Sequence, residues 1–214
     1  YHDFGLKMLE DQARSSANIP CWLIFDAQFR AKFPLGSILP ARLMPDGRIP
    51  PQWWGSVLHR ADSIAALAEA TGIAPQALED TVARFNGFAR SGVDEDFARG
   101  QSAYDSVYCD KRHKPNPSLG EVARAPFYAV RLDLGDIGTM GGLLADENGQ
   151  VIDRSGQPIA GLYAAGNCSS AFTGGTYPGA GATLGGAMTF AYLAANHLAA
   201  LGDAAAIPQA IAER

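Results

Sequence analysis

The sequence predicts a mixed α/β protein, and three observations carry that prediction. A short apolar run, Pro20-Cys-Trp-Leu-Ile-Phe-Asp26, is rich in aromatic and branched side chains and has the length of a buried strand. Two segments with apolar residues three and four apart follow it, each bounded by capping or breaking residues. The last third returns to short strand-like runs separated by glycines and closes on one long helical stretch.

Each element can be justified in turn. After the strand at 20–26, the residues Pro34, Gly36, Pro40, Pro45, Gly47, Pro50 and Pro51 deny the backbone regular ladders, so this segment should wrap a surface or line a cleft. It ends at Trp53 and Trp54, read first as packing residues and second as substrate-lining ones. A helix over 62–71 places Ile64, Leu67 and Ala68 on one side, with Asp62 or Ser63 as its cap and Gly72 as its stop. A second helix starts near Pro75, puts Ala77, Leu78, Val82 and Phe85 on one face, and should end before Gly87. The carboxylates between Gly92 and Gly100 read as a solvated surface loop, since no partner ligands sit at calcium-loop spacing.

Beyond Pro126 the texture changes. Phe127 to Leu134 alternates like a strand, Gly138 to Gly142 reads as a tight turn, and Val151-Ile152 between Gly149 and Gly156 suggests a small hairpin. Gly161-Leu-Tyr-Ala-Ala-Gly166 is a short strand entering a glycine-rich loop that runs to about Ala182. A long helix then begins at Thr183 or Leu184, with Leu184, Met188, Ala191, Ala195 and Leu198 as its apolar stripe. The tail after Gly202 reads as a loosely held extension.

Composition removes several function classes. A net charge of -5 without any basic block gives no electrostatic reason to bind nucleic acid. No run of about 18 apolar residues is present, so no membrane span is expected, and Tyr1-His2-Asp3-Phe4 has neither region of a secretory leader. The default compartment is the cytoplasm. Cys21, Cys109 and Cys168 are odd in number and far apart, which argues against a disulfide framework and against a CxxC metal site.

The chemistry concentrates in 161–190, a strand followed by a glycine loop and a helix start. Glycine lets backbone N–H groups approach a ligand, and the first turn of the helix adds partial positive charge. Electron-rich ligands are favoured there. A phosphate fits this description, and so does the pyrimidine edge of a flavin.

The strings Gly138-Thr-Met-Gly-Gly142, Gly156-Gln-Pro-Ile-Ala-Gly-Leu-Tyr-Ala-Ala-Gly-Asn167 and Thr176-Tyr-Pro-Gly-Ala-Gly-Ala-Thr-Leu-Gly185, with Ala187-Met-Thr-Phe190, resemble the closing segment of the fumarate-reductase-type flavoproteins. Within that superfamily they are most similar to the 3-ketosteroid Δ1-dehydrogenases. The resemblance extends upstream through Thr81-Val-Ala-Arg-Phe-Asn-Gly-Phe-Ala-Arg90, Gly92-Val-Asp-Glu-Asp-Phe97 and Gly100-Gln-Ser-Ala-Tyr-Asp105 to Pro126-Phe-Tyr-Ala129.

That resemblance implies FAD as the cofactor and a small hydrophobic, steroid-like ketone as the substrate. It implies a substrate contact by Tyr177 and Gly181, which would donate the phenol and an amide to the C3 ketone. It implies flavin contacts by Gly166, Asn167, Ala182, Thr183 and Leu184. It also implies two parts: residues 1–130 from a substrate-binding domain, and 131–214 from the carboxy-terminal side of a Rossmann-like FAD-binding domain. The chain is therefore expected to be a carboxy-terminal portion, without the G-x-G-x-x-G element that grips the pyrophosphate and poorly able to hold FAD alone. The family's proton-abstracting tyrosine has no counterpart after the first strand, where Phe29 and Phe33 stand.

Two rival readings remain at this level. A dicarboxylate reductase of the fumarate type needs cations, and none occurs between Arg154 and Arg214. The other rival is a scaffold that kept the fold without the activity.

Overall fold

A computed structural model describes residues 4–16, 18–107, 109–135 and 138–201. In chain order its elements are α1 (Phe4–Ser15), β1 (Cys21–Asp26), α2 (Ala27–Lys32), β2 (Leu58–Ala61), α3 (Ile64–Thr71), α4 (Pro75–Ser91), β3 (Phe127–Leu132), β4 (Gln150–Ile152), β5 (Pro158–Tyr163) and α5 (Ala182–Ala200). The mixed α/β class read from the sequence is what the chain adopts. Two compact units are present, one formed by Ile19–Asp133 and the other by Tyr1–Asn18 with Leu134–Arg214. The expected extension after Gly202 lies outside the described residues.

The unit Ile19–Asp133 is built on a three-stranded antiparallel sheet with β3 between β1 and β2. Side chains alternate across a strand, so each face collects its own set. Phe25, Tyr128 and Val130 pack on one side with Ile38, Ile49 and Leu58, and Phe127 and Ala129 pack on the other with Leu67. Being central, β3 is buried along Phe127–Val130, which explains its nearly continuous apolar sequence. Trp53 and Trp54 pack against the first cluster, as their first reading held, and Phe29 does the same.

The proline-rich segment is held by a buried cation. Arg30, 3% exposed, donates through Nη1 to the Leu39 carbonyl at 2.6 Å and through Nη2 to the Met44 carbonyl. Its Nε lies 3.3 Å from Asp46 Oδ1, an ion pair without hydrogen-bond geometry. Asp46 also accepts from the Tyr128 hydroxyl at 2.8 Å. Carbonyls that proline leaves without ladder partners are thus satisfied by one guanidinium.

Both helices after β2 form. Ser63 caps α3 by accepting from the Ala66 amide at 3.1 Å, and Gly72 ends it in the left-handed conformation. α4 departs from expectation, because it runs through Gly87 and stops only at Gly92. One helical glycine costs about 1 kcal/mol, less than the burial of Phe88 and Ala89 against Leu119 returns. In the acidic loop Glu95 and Asp96 are exposed, as read, and only Asp94 departs from the solvated reading. Asp94 is buried and accepts from the amides of Asp96 and Phe97, while Asp96 pairs with Arg84. These carboxylates are turn and ion-pair residues.

In the other unit, β4 and β5 form the expected hairpin, with Gln150 opposite Tyr163 and Ile152 opposite Pro158. Its second arm is the run that read as a separate strand into the glycine loop. Asp153 closes the turn by accepting from the Ser155 and Gln157 amides at 2.8 and 3.0 Å. Residues 138–142 do not close a tight turn. They lie along 167–171, joined by Leu143 N–H to Cys168 O at 2.9 Å, Ser170 N–H to Leu143 O at 2.8 Å and Ala171 N–H to Met140 O at 2.9 Å. A Cβ on Gly142 would fall 2.3 Å from the Cys168 carbonyl oxygen, so the approach requires glycine.

The long helix α5 forms, starting at Ala182, one residue before the Thr183 or Leu184 start read from the sequence, and its packing face is another one. Leu184, Met188, Ala191, Ala195 and Leu198 are all exposed, whereas Ala194 is buried and Ala187, Phe190 and His197 are half-buried. His197 Nδ1 is 2.7 Å from the Tyr163 hydroxyl, which fixes the helix to β5. The helix is apolar nearly all round, so periodicity could not select the side that packs. No described helix is long and apolar enough to cross a membrane.

Candidate functional site

β5 delivers the chain into a single 3-10 turn, Gly166–Cys168, closed by the Ser169 hydroxyl and amide donating to the Gly166 carbonyl at 2.8 and 3.0 Å. Thr139 Oγ1 donates to the Asn167 carbonyl at 2.7 Å, tying the glycine string 138–142 to the same turn. The loop continues through Phe172 and Tyr177 and enters α5 at Gly181, whose φ of 94° is easy for glycine and strained for other residues. No side chain caps α5. The Ala182 N–H donates to the Gly179 carbonyl at 3.2 Å, and the N–H groups that follow in the first turn carry the partial positive charge of the helix start.

These segments enclose an open cleft of about 520 Å³, solvent space at its mouth included. Gly166, Asn167, Tyr177, Ala182 and Thr183 all line it. Gly181 and Leu184 do not: the first is the exposed cap residue, and the Leu184 side chain is 70% exposed on the outer side of the helix. The Tyr177 phenol is half-buried and, among the described residues, makes no hydrogen bond. Phe29, in the neighbourhood expected to supply a proton-abstracting base, is a packing residue with rings 5.3 Å from Phe25 and 5.2 Å from Phe33.

The cleft also contains residues that sequence reasoning passed over: Thr139, Met140, Ser169, Ser170, Phe172 and Phe190. The first two sat in a string read as a turn. Phe172 is a single aromatic in a loop, with no periodic partner to draw notice. No lining residue is basic.

The residues present suit the pyrimidine edge of a flavin. Gly166 is held so close to α5 that a Cβ there would lie 3.3 Å from Ala187 Cβ, which leaves its backbone bare at the cleft wall. Ala182 and Thr183 line the same wall; the Ala182 N–H donates to the Gly179 carbonyl at 3.2 Å, and Thr183 brings the first turn of the helix, without a side-chain cap, to the cleft. Amide donors and a helix N-terminus are the groups that favour an electron-rich ring edge.

A glycine loop zipped to a second glycine string and opening on an uncapped helix defines a nucleotide-cofactor protein of mixed α/β build. The chain belongs to the FAD binding domain family, which matches residues 1–184. It is 52% identical over 188 residues to the 3-oxosteroid 1-dehydrogenase of Mycolicibacterium smegmatis, covering 87% of this chain and 32% of that protein. To the 3-oxosteroid 1-dehydrogenase of Comamonas testosteroni it is 42% identical, again over 87% of this chain and 32% of the relative. Among solved structures it superimposes with a TM-score of 0.84 and 44% identity on the 3-ketosteroid Δ1-dehydrogenase of Sterolibacterium denitrificans in complex with 1,4-androstadiene-3,17-dione, covering 94% of this chain and 35% of that one. The chain thus spans about a third of the length of the relatives it matches. The resemblance read from the glycine strings is borne out.

Proposed function

We propose that this chain serves an FAD-dependent dehydrogenase that introduces a double bond beside the ketone of a 3-oxosteroid, with Tyr177 and Gly181 as its ketone donors. The carrying observation is the cleft that brings the unpartnered Tyr177 phenol together with Gly166, Asn167 and the first turn of α5. Its setting supports the reading, since relatives at 52% and 42% identity are 3-oxosteroid 1-dehydrogenases.

In this reading the Tyr177 hydroxyl donates to the C3 oxygen, and the Gly181 amide supplies a second donor. Negative charge grows on that oxygen as a general base, supplied by the full-length protein, takes the C2 proton, and two fixed donors stabilise it more than they stabilise the neutral ketone. The open space around Gly181 suits this role, because no heavy atom lies within 4 Å of where its Cβ would stand. Gly166, Asn167, Ala182 and Thr183 form the cofactor side of the site, with the helix dipole directed at an electron-rich edge. Bound FAD supplies the acceptor for the hydride that leaves C1.

A dicarboxylate substrate is disfavoured because the cleft lining carries no Lys, Arg or His to pair with carboxylates. Thiols outside any disulfide at Cys109 and Cys168 suit a reducing compartment, in keeping with a cytoplasmic enzyme.

The test is the visible spectrum of the protein extended to the full length of its relatives. We expect a yellow protein bleached by a 3-keto-4-ene steroid and not by succinate. A flavin band that resists the steroid would refute the substrate assignment, and a colourless preparation would refute the cofactor assignment.

A further inference from the structure

Phe172 stands in the glycine loop with 65% of its surface exposed, yet it lines the cleft beside Tyr177. A lone exposed phenyl ring has no meaning by itself. Here the fold has made a place for it. A Cβ on Gly186, in the second turn of α5, would fall 2.7 Å from Phe172 Cε1 and 3.3 Å from its Cδ1, so the ring rests on bare helix backbone. On its other flank the ring centroid is 6.1 Å from that of Phe190. Glycine in a helix interior is unfavourable relative to alanine, and the notch it leaves is filled by this one ring.

The cleft consequently has two chemistries. Tyr177, Thr183 and Asn167 offer polar groups, while Phe172, Phe190 and Met140 offer a hydrocarbon wall. A ligand matching both carries one oxygen acceptor on a flat apolar ring system.

We propose that Phe172, seated in the notch of Gly186, is a specificity-determining residue that holds the hydrocarbon face of the ring ketone bound through Tyr177. This rests on the function proposed above. A ring in contact with the apolar body of the substrate contributes to binding in ground state and transition state alike, so its loss should appear in KM and not in kcat.

The experiment is steady-state kinetics of the full-length enzyme with a 3-keto-4-ene steroid, together with its flavin spectrum. Phe172→Ala should raise KM about tenfold with kcat within about threefold and flavin content unchanged, a change on the scale of one lost aromatic contact. Phe172→Leu, which keeps apolar bulk, should recover most of that loss. Gly186→Ala displaces the ring and should raise KM in the Phe172 enzyme, but add nothing once Phe172 is already alanine. An unchanged KM in Phe172→Ala overturns the proposal, as does additive behaviour of the two substitutions. Loss of flavin from Phe172→Ala also overturns it, by making the ring a cofactor contact. If the unaltered enzyme keeps its flavin but does not turn over the steroid, the function proposed above fails first and this assignment with it.

Discussion

The Arg124 amide donates to Asp26 Oδ2 at 2.9 Å across 98 residues of chain. The neighbouring Ala123 amide donates to the same oxygen at 3.1 Å, while Oδ1 accepts from the amides of Gln28 and Phe29 at 2.9 and 3.0 Å. A single carboxylate, 1% exposed, therefore caps α2 and anchors the segment leading into β3. Burial raises its pKa, but the hydrogen bonds from the Gln28 side chain and the amides of Phe29, Arg124 and Ala123 outweigh that and hold it below the ordinary aspartate value of 3.8.

Asp26→Asn should destabilise the protein by about 2–3 kcal/mol, because an amide NH2 would face donors where a carboxylate oxygen accepted. The depressed pKa sets the sign of the pH effect: the contribution is fully present above the unfolded value and is lost as pH falls through the folded one. Urea midpoints measured from pH 7 down to pH 3 should therefore fall more steeply for the native protein than for Asp26→Asn. Parallel curves would show that Asp26 is not the linkage group.

Tyr177→Phe in the full-length enzyme removes one donor to the developing oxyanion and should lower kcat by about 10²–10³. Flavin content should not change. An equal loss of flavin would move Tyr177 from the substrate side of the cleft to the cofactor side.

Tyr128 gives a pH effect of the opposite sense. Its burial, together with the negative Asp46 carboxylate that accepts its hydrogen bond, pushes its pKa from 10.0 up to about 12. The folded state thus keeps the proton more tightly, and the stabilisation present below pH 10 is lost between there and about 12. Asp46→Ala should lower the phenol pKa, read by absorbance at alkaline pH. It should also cost about 3 kcal/mol at neutral pH, because Arg30 would stay buried without its counter-ion. An unshifted phenol titration in this variant would exclude Asp46 as the cause.

Gly142→Ala should destabilise the protein by about 2 kcal/mol or more, since its Cβ meets backbone at Cys168 that cannot rotate away. Thermal melts of this variant beside Gly141→Ala, where no heavy atom lies within 4 Å, give the comparison. Equal melting temperatures would mean that the two glycine strings are not zipped together.

Elements whose causes are local could be read before the fold was known. β1 announced itself by composition, and α3 by Ser63 and Gly72, because a cap and a stop act within a few residues of the helix they bound. Elements whose causes are distant could not. The 138–142 string looked like a turn because its partner, Cys168, is 26 residues away. Asp94 is the exception: its partners, the Asp96 and Phe97 amides, lie two and three residues on, a local turn that its residue type alone allowed. In α5 the pattern was visible but its direction was not, since both flanks are apolar. At the site, Tyr177, Gly166 and Asn167 were legible through the motifs they belong to. Phe172 was not, because what gives it meaning is the missing Cβ of Gly186, a through-space relation.

The outward flank of α5 has a practical consequence. Leu184, Met188, Tyr192 and Leu198 present 70%, 70%, 69% and 49% of their surface to water along one rod. Greasy strips of that kind seek cover. Chains prepared at high concentration as this stretch alone should clump or coat plastic, and a dye that fluoresces on oily surfaces should light up until mild detergent wets the rod.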